Sequence, residues 1–203
     1  MRALPNILTF GRLVLTLLVL VFLVAAAGAL PGVQVSPGAR LQLQSWAFVA
    51  FAVAAVTDFF DGWLARKLNA TSLLGAILDP IADKALVAGA IVGLLAVGQA
   101  GVALPGGLIL VREFAVSAMR ETLAPRGVTL PVTLLAKWKT TVQLVALGLM
   151  LFLPAWSDWG LPCDPRLQAN AGLAANALLW IAAAITVWTG IEYAFAARRA
   201  LRN

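Results

Sequence analysis

The sequence predicts an all-α, polytopic integral membrane protein with six transmembrane helices and both termini cytoplasmic. Three observations carry this. Hydrophobic residues make up 62% of the 203-residue chain and charged residues only 12%, whereas soluble domains carry about 25% charged residues. The apolar residues gather into six runs, each near the roughly 20 residues that a bilayer crossing needs. The basic residues collect at one end of those runs, the asymmetry that sets membrane orientation.

The first run spans about Ile7 to Ala29, with no charge after Arg12. Arg2 before an apolar stretch ending Ala25-Ala26-Ala27-Gly28 imitates a secretory signal. The run exceeds the usual 7–15-residue core of such a signal, however, and five more runs follow, so it reads as a retained helix. The second run starts near Leu41 and continues to about Leu68; the third covers about Ser72 to Val97. A Pro105-Gly106-Gly107 break is expected to precede the fourth, which ends near Leu123. The fifth occupies about Thr133 to Leu153 and the sixth about Ala171 to Ala197. With no soluble segment, long linker or internal repeat, residues 1–203 form one domain.

Six crossings place Arg2, Arg12, Arg66, Lys67, Arg120, Arg126, Lys137, Lys139, Arg198, Arg199 and Arg202 on one side. Arg40 and Arg166 fall on the other, beside Asp158 and Asp164. The first side is therefore cytoplasmic. Trp156 and Trp159 suit the outer aromatic belt, Trp63 and Trp138 the inner one. The net charge of +6 follows from this topology and from anionic headgroups. No aromatic-basic motif for nucleic acid accompanies it.

Four carboxylates interrupt the apolar pattern: Asp58, Asp61, Asp79 and Asp83. An ionised side chain inside a membrane segment is costly and usually functional. The first two are i,i+3 and the last two i,i+4, so each pair shares a helix face. Leu68-Asn69-Ala70-Thr71-Ser72 reads as a turn between the pairs. Equal rise on two antiparallel helices then sets Asp61 level with Asp79, and Asp58 level with Asp83. The chain has no His, and Cys163 is its only Cys. A metal held here has oxygen ligands, which favours Mg²⁺ or Mn²⁺ over zinc. Spacing alone implies a metal site and no particular reaction.

The full stretch reads Asp58-x-x-Asp61-Gly62-x-x-Ala65-Arg66, eight residues, then Gly75-x-x-x-Asp79-x-x-x-Asp83. At every fixed position it resembles the signature of the CDP-alcohol phosphotransferases. That resemblance implies a six-helix membrane enzyme moving a substituted phosphate from a CDP-linked donor to an alcohol, with release of CMP. Two divalent ions would clamp the reacting oxygens, held by Asp58, Asp61 and Asp79 with Asp83 beside them. The family assigns proton abstraction from the acceptor hydroxyl to the last aspartate, here Asp83. Gly62 and Gly75 lack a Cβ and so let a nucleotide lie close; Ala65 fits the same role one turn on. Arg66 and Asn6 complete the expected CDP-donor contacts.

Within the family, three stretches resemble the phosphatidylglycerophosphate synthases. They are Leu4-Pro5-Asn6-Ile7-Leu8-Thr9-x-x-Arg12, Val111 to Glu121, and Ala136-Lys137-Trp138-Lys139-Thr140-Thr141-Val142-Gln143, where Ala136 replaces the usual Gly. The implied substrates are CDP-diacylglycerol and glycerol 3-phosphate, with phosphatidylglycerol or inositol phosphate as other acceptors. Arg112 and Arg120 lie about 80° apart around a helix, so both can face one cleft and grip the acceptor phosphate. Lys137 and Lys139 diverge by about 200°, so only one turns inward. The resemblance also implies a homodimer in a bacterial plasma membrane, its active site facing the cytoplasm. The last fifty residues add little, and Glu192 is expected to partner cytoplasmic arginines. In a contrasting reading the aspartates serve a cation or proton transporter, which would need ionisable groups along a path to both sides. Here the outer halves of the runs are nearly uncharged.

Overall fold

A computed structural model describes residues 4–68, 73–126, 134–162 and 164–200, with the side chains of 4–6, 59–74, 76, 126, 134–137 and 200 outside that description. Six α-helices form it: α1 Leu4–Ala26, α2 Pro37–Leu68, α3 Leu73–Ala96, α4 Ala103–Leu123, α5 Leu134–Phe152 and α6 Pro165–Ala200. Among the described residues there is no strand. Five of the six are long and apolar enough to cross a membrane. The sixth, α3, has the length but carries Asp79, Asp83 and Lys84 in its first half.

Helix starts follow local chemistry. The second helix begins at Pro37, ahead of the expected Leu41. Proline at a first helical position loses no needed N–H, and the Ser36 hydroxyl accepts from the Ala39 amide at 3.4 Å. The sixth begins at Pro165, six residues before expectation, with Asp164 Oδ1 accepting from the Arg166 amide at 2.8 Å. The break expected at Pro105-Gly106-Gly107 is absent. A turn at Gly98 (φ 89°) and a short 3₁₀ segment, Ala100–Val102, end the connection earlier. Pro105 sits in the first turn of α4, where its missing donor costs no bond. Gly106 instead serves packing: a Cβ there would stand 2.8 Å from Ile91 Cγ2.

The decisive packing is α1 along α3. A Cβ on Gly93 would fall 2.3 Å from Leu23 Cδ1, and one on Gly89 3.4 Å from Thr16 Cγ2. These two glycines, one helical turn apart, let the backbones approach closely, as small residues do in membrane helix pairs. Both helices run in the same direction, so Leu23 meets Gly93 and Thr16 meets Gly89, while Thr9 and Arg12 meet Asp79 and Asp83. The register that packs the apolar half thereby delivers two polar α1 side chains to the carboxylates.

Val19, Leu23, Phe51, Ile91, Leu94, Ile109, Leu147 and Leu179 fill the core between helices. At the end of the bundle away from the aspartates, Phe48, Phe152, Trp156 and Trp159 form an aromatic cluster with centroids 5.1–6.1 Å apart. Ser45 donates to Asp158 there at 3.1 Å. Large apolar side chains such as Phe10, Val111, Phe114, Trp188 and Phe195 point outward, as a lipid-facing surface requires.

Candidate active site

Asp58 and Asp83 come together around a residue from outside the motif. Arg12 Nη1 lies 2.5 Å from Asp58 Oδ1 and 2.5 Å from Asp83 Oδ1. One guanidinium nitrogen thus ties α2 to α3, setting Asp58 level with Asp83. One turn earlier on α1, the Thr9 hydroxyl donates to Asp79 Oδ1 at 2.6 Å. Thr9 and Arg12 are both 1% exposed. Arg12, expected as a topological marker, is therefore buried among the aspartates. Its i,i+3 spacing from Thr9 and the uninterrupted apolar run after it were the available signals. Gly75 is buried as well. Asp61, Gly62, Ala65 and Arg66 lie on the last turns of α2 and Asn6 on the first turn of α1, but their side chains fall outside the described residues.

The donor set is carboxylate and hydroxyl oxygen, the chemistry that Mg²⁺ and Mn²⁺ prefer. Among the described side chains, to which Asp61's does not belong, no three metal-ligating groups form one cluster. What is present is concentrated negative charge countered by one buried cation.

Asp79 and Asp83 open onto a cleft of about 490 Å³ whose opposite wall is basic. Arg112 and Arg120 on α4 and Lys139 on α5 line it together, with Lys84, Glu113, Thr140 and Gln143. The two arginines project into one space, as their spacing around α4 anticipates. Lys139 is buried and donates to Glu113 Oε1, whereas the Lys137 side chain lies outside the described residues. Glu113, given no role from sequence, also stands 3.9 Å from Arg112 Nη1. It offsets part of the positive charge and fixes Lys139 against α4. Gln143 is 2% exposed, and its Oε1 has no partner among the described residues.

The last helix supplies what sequence reading did not anticipate. Arg112 Nη2 donates to Thr189 Oγ1 at 3.0 Å, and Arg120 Nη2 donates to the Tyr193 hydroxyl at 2.7 Å. Both guanidinium groups also lie over the Tyr193 ring, 5.4 and 5.0 Å from its centroid, within cation–π range. Glu192, expected to pair with arginines, instead accepts from Trp188 Nε1 at 3.0 Å, one turn away on the same helix. The only signal in the sequence was modest: Tyr193 is the single tyrosine of the chain and follows Thr189 by four residues.

Taken as a whole, the site is a cleft with carboxylates on one wall and fixed cations on the other. Such a cleft can hold a pyrophosphate through metal at one end and a second anion at the other. Comparison with known proteins agrees with that chemistry. Residues 2–188 match the family model described as CDP-alcohol phosphatidyltransferase. The chain is 37% identical to a CDP-diacylglycerol–glycerol-3-phosphate 3-phosphatidyltransferase of Cereibacter sphaeroides, over 94% of this chain and 93% of the relative. It is 38% identical to the protein so named in Rickettsia bellii, over 94% and 92%, and 40% identical to that of Escherichia coli K12, over 75% and 78%. By motif, by architecture and by a match over nearly its whole length, the chain belongs to the CDP-alcohol phosphatidyltransferase family.

Proposed function

We propose that the protein transfers the phosphatidyl group of CDP-diacylglycerol to the sn-1 hydroxyl of glycerol 3-phosphate, giving phosphatidylglycerol phosphate and CMP. The observation that carries this reading is the two-walled cleft: Asp79 and Asp83 share one space with Arg112, Arg120 and Lys139. An acceptor bearing its own phosphate needs cations beyond those that neutralise the donor. A neutral alcohol would have no use for three. Relatives named for this reaction support the same substrates.

In this reading Asp58, Asp61 and Asp79, with Asp83 beside them, would hold divalent metal, two ions being the arrangement we favour, and that metal would supply the charge that neutralises the donor pyrophosphate. Gly62, Ala65 and Gly75 leave room for the nucleotide, while Arg66 and Asn6 contact the donor. Arg112, Arg120 and the inward lysine, Lys139, bind the acceptor phosphate; Lys137 contributes from the same stretch. Asp83 takes the acceptor's hydroxyl proton as that oxygen attacks the lipid-bearing phosphorus. The bond from this phosphorus to the CMP oxygen breaks, and CMP leaves with the electron pair. Phosphoryl-type transfer of this kind depends chiefly on positioning and charge stabilisation.

The same reading places six helices across a bacterial plasma membrane with both termini and the cleft on the cytoplasmic side. The concentration of Arg and Lys at that end supports it. Charged CDP then approaches from water while acyl chains stay in the bilayer. A homodimer is part of the proposal. Gly89, Gly93 and Gly106 pack within the chain, so any dimer contact rests on outward apolar faces such as Ile77, Ile81 and Val111.

Identification of the lipid product tests the assignment. Purified protein with CDP-diacylglycerol and Mg²⁺ is offered labelled glycerol 3-phosphate, inositol phosphate, serine or phosphatidylglycerol in turn. Label should enter lipid from glycerol 3-phosphate alone, with equimolar CMP, and chelation should stop it. Incorporation from another acceptor would reassign the substrate. Divalent-cation transport without CMP release would replace the enzyme with a transporter.

A further inference from the structure

We propose that Tyr193 and Thr189 are positioning residues that set the preference for a phosphorylated acceptor by holding Arg112 and Arg120 as a fixed pair. The inference rests on the acceptor reading above. Two guanidinium groups of like charge beside one another in a partly dry cleft repel. A free pair would splay, and each arginine carries a flexible stem whose ordering on binding costs affinity.

Helix α6 removes that freedom with three residues on one face. Tyr193 is 4% exposed, so its ring is a fixed platform for both cations. Its hydroxyl accepts from Arg120. The Thr189 hydroxyl sends its proton to backbone carbonyls of its own helix, Ile185 O at 2.9 Å and Thr186 O at 3.0 Å. With that proton engaged, a lone pair is left to receive Arg112 Nη2 at 3.0 Å. Gly190 between them leaves the space the Arg112 stem occupies, since a Cβ there would stand 2.8 Å from Arg112 Cγ. Arg112 Nε is buried against Gly190 and has no partner among the described residues. The paired guanidiniums present planar forks suited to bidentate phosphate binding.

Steady-state kinetics on the purified full-length chain test this, with glycerol 3-phosphate and CDP-diacylglycerol varied separately. Thr189→Val should raise the glycerol 3-phosphate KM about 5-fold and Tyr193→Leu about 20-fold, the scale of losing hydrogen bonds and ring contact to charged groups. Tyr193→Phe keeps the ring and should fall between wild type and Tyr193→Leu. Thr189→Ser keeps the hydroxyl and should restore the wild-type KM. The CDP-diacylglycerol KM and kcat should stay within about twofold throughout, because nothing on the donor wall changes. A purely structural role for α6 would instead lower kcat or raise both KM values together, and either result overturns the proposal. If Tyr193→Leu fails to fold, Tyr193→Phe and Thr189→Val carry the same test. Wild-type turnover on glycerol 3-phosphate with unchanged KM in these variants defeats this inference alone. A wild type that ignores glycerol 3-phosphate defeats the acceptor reading and this inference with it.

Discussion

The carboxylate wall and the cationic wall of the cleft, the donor and acceptor sides of the proposed reaction, are built by different strategies. On the carboxylate wall, Asp58 and Asp61 share one helix and Asp79 and Asp83 the next. Its spacing follows from helical pitch within a 26-residue stretch, and Thr9 and Arg12 of α1 reach it from outside that stretch. On the acceptor wall, Arg112 is fixed by a residue 77 positions away and Arg120 by one 73 positions away. The difference teaches that helical pitch sets the spacing of the carboxylates, which Thr9 and Arg12 of α1 then tie together, whereas the like-charged guanidiniums are held side by side by partners on α6. Substitutions on the two walls should accordingly fail in different ways.

The largest effect is expected from Asp83→Asn. The amide preserves shape but takes no proton at neutral pH, so turnover should fall by about 10³-fold or more. CDP-diacylglycerol binding, measured by equilibrium dialysis in detergent, should remain close to wild type. Asp61→Asn should weaken metal and donor binding together. Wild-type turnover in Asp83→Asn would remove the base from the donor wall.

Next in size is a break in the packing that places the donor wall. Gly93→Val adds a Cβ 2.3 Å from Leu23 Cδ1 and 2.9 Å from Leu23 Cβ. Overpacking of this kind costs about 1–3 kcal/mol, read as a lower unfolding temperature in detergent. Because α1 must move, Thr9 and Arg12 shift away from the aspartates, so metal binding should weaken as well. Unchanged metal affinity would show that α1 does not set the carboxylate geometry.

A smaller effect is expected from Arg12→Gln. The guanidinium neutralises Asp58 and Asp83, whose side chains are 36% and 53% exposed. Water at the open cleft reduces the cost of losing it to about 1–2 kcal/mol, below that of breaking a fully buried pair. The loss should appear as a lower unfolding temperature in chelator and shrink when Mg²⁺ is added. Equal destabilisation with and without metal would mean that Arg12 serves packing rather than charge.

The smallest perturbation leaves activity alone and tests orientation. In a Cys163→Ser background, Asn69→Cys should react with an impermeant thiol reagent from the cytoplasmic face only. Labelling from the outer face alone would invert the proposed topology.

How much was legible beforehand follows from the same contrast. The helical class, the number of runs and the aspartate spacing were visible because hydropathy and pitch are local properties. Arg120 beside Arg112 was also visible, since both lie on α4. The ion pairs of Arg12 were not legible because positive charge near the start of an apolar run also suits topology, and only the α1–α3 register reveals its partners. The break at Pro105 was misjudged because proline is tolerated in a first helical turn, and Gly106 answers to Ile91 on another helix. Glu113, Thr189 and Tyr193 stayed silent because their partners lie on other helices. A threonine or tyrosine in an apolar helix carries no mark of what it touches.

The most direct test of the central claim, one cleft with separate donor and acceptor walls, is the pair of Michaelis constants for Arg112→Gln. Removing that charge-assisted contact should raise the glycerol 3-phosphate KM by about 10- to 100-fold. The CDP-diacylglycerol KM should remain within about twofold of wild type, as nothing on the donor wall is altered. Equal increases in both constants would show that the arginine serves the donor or the fold, and would contradict the division of the cleft.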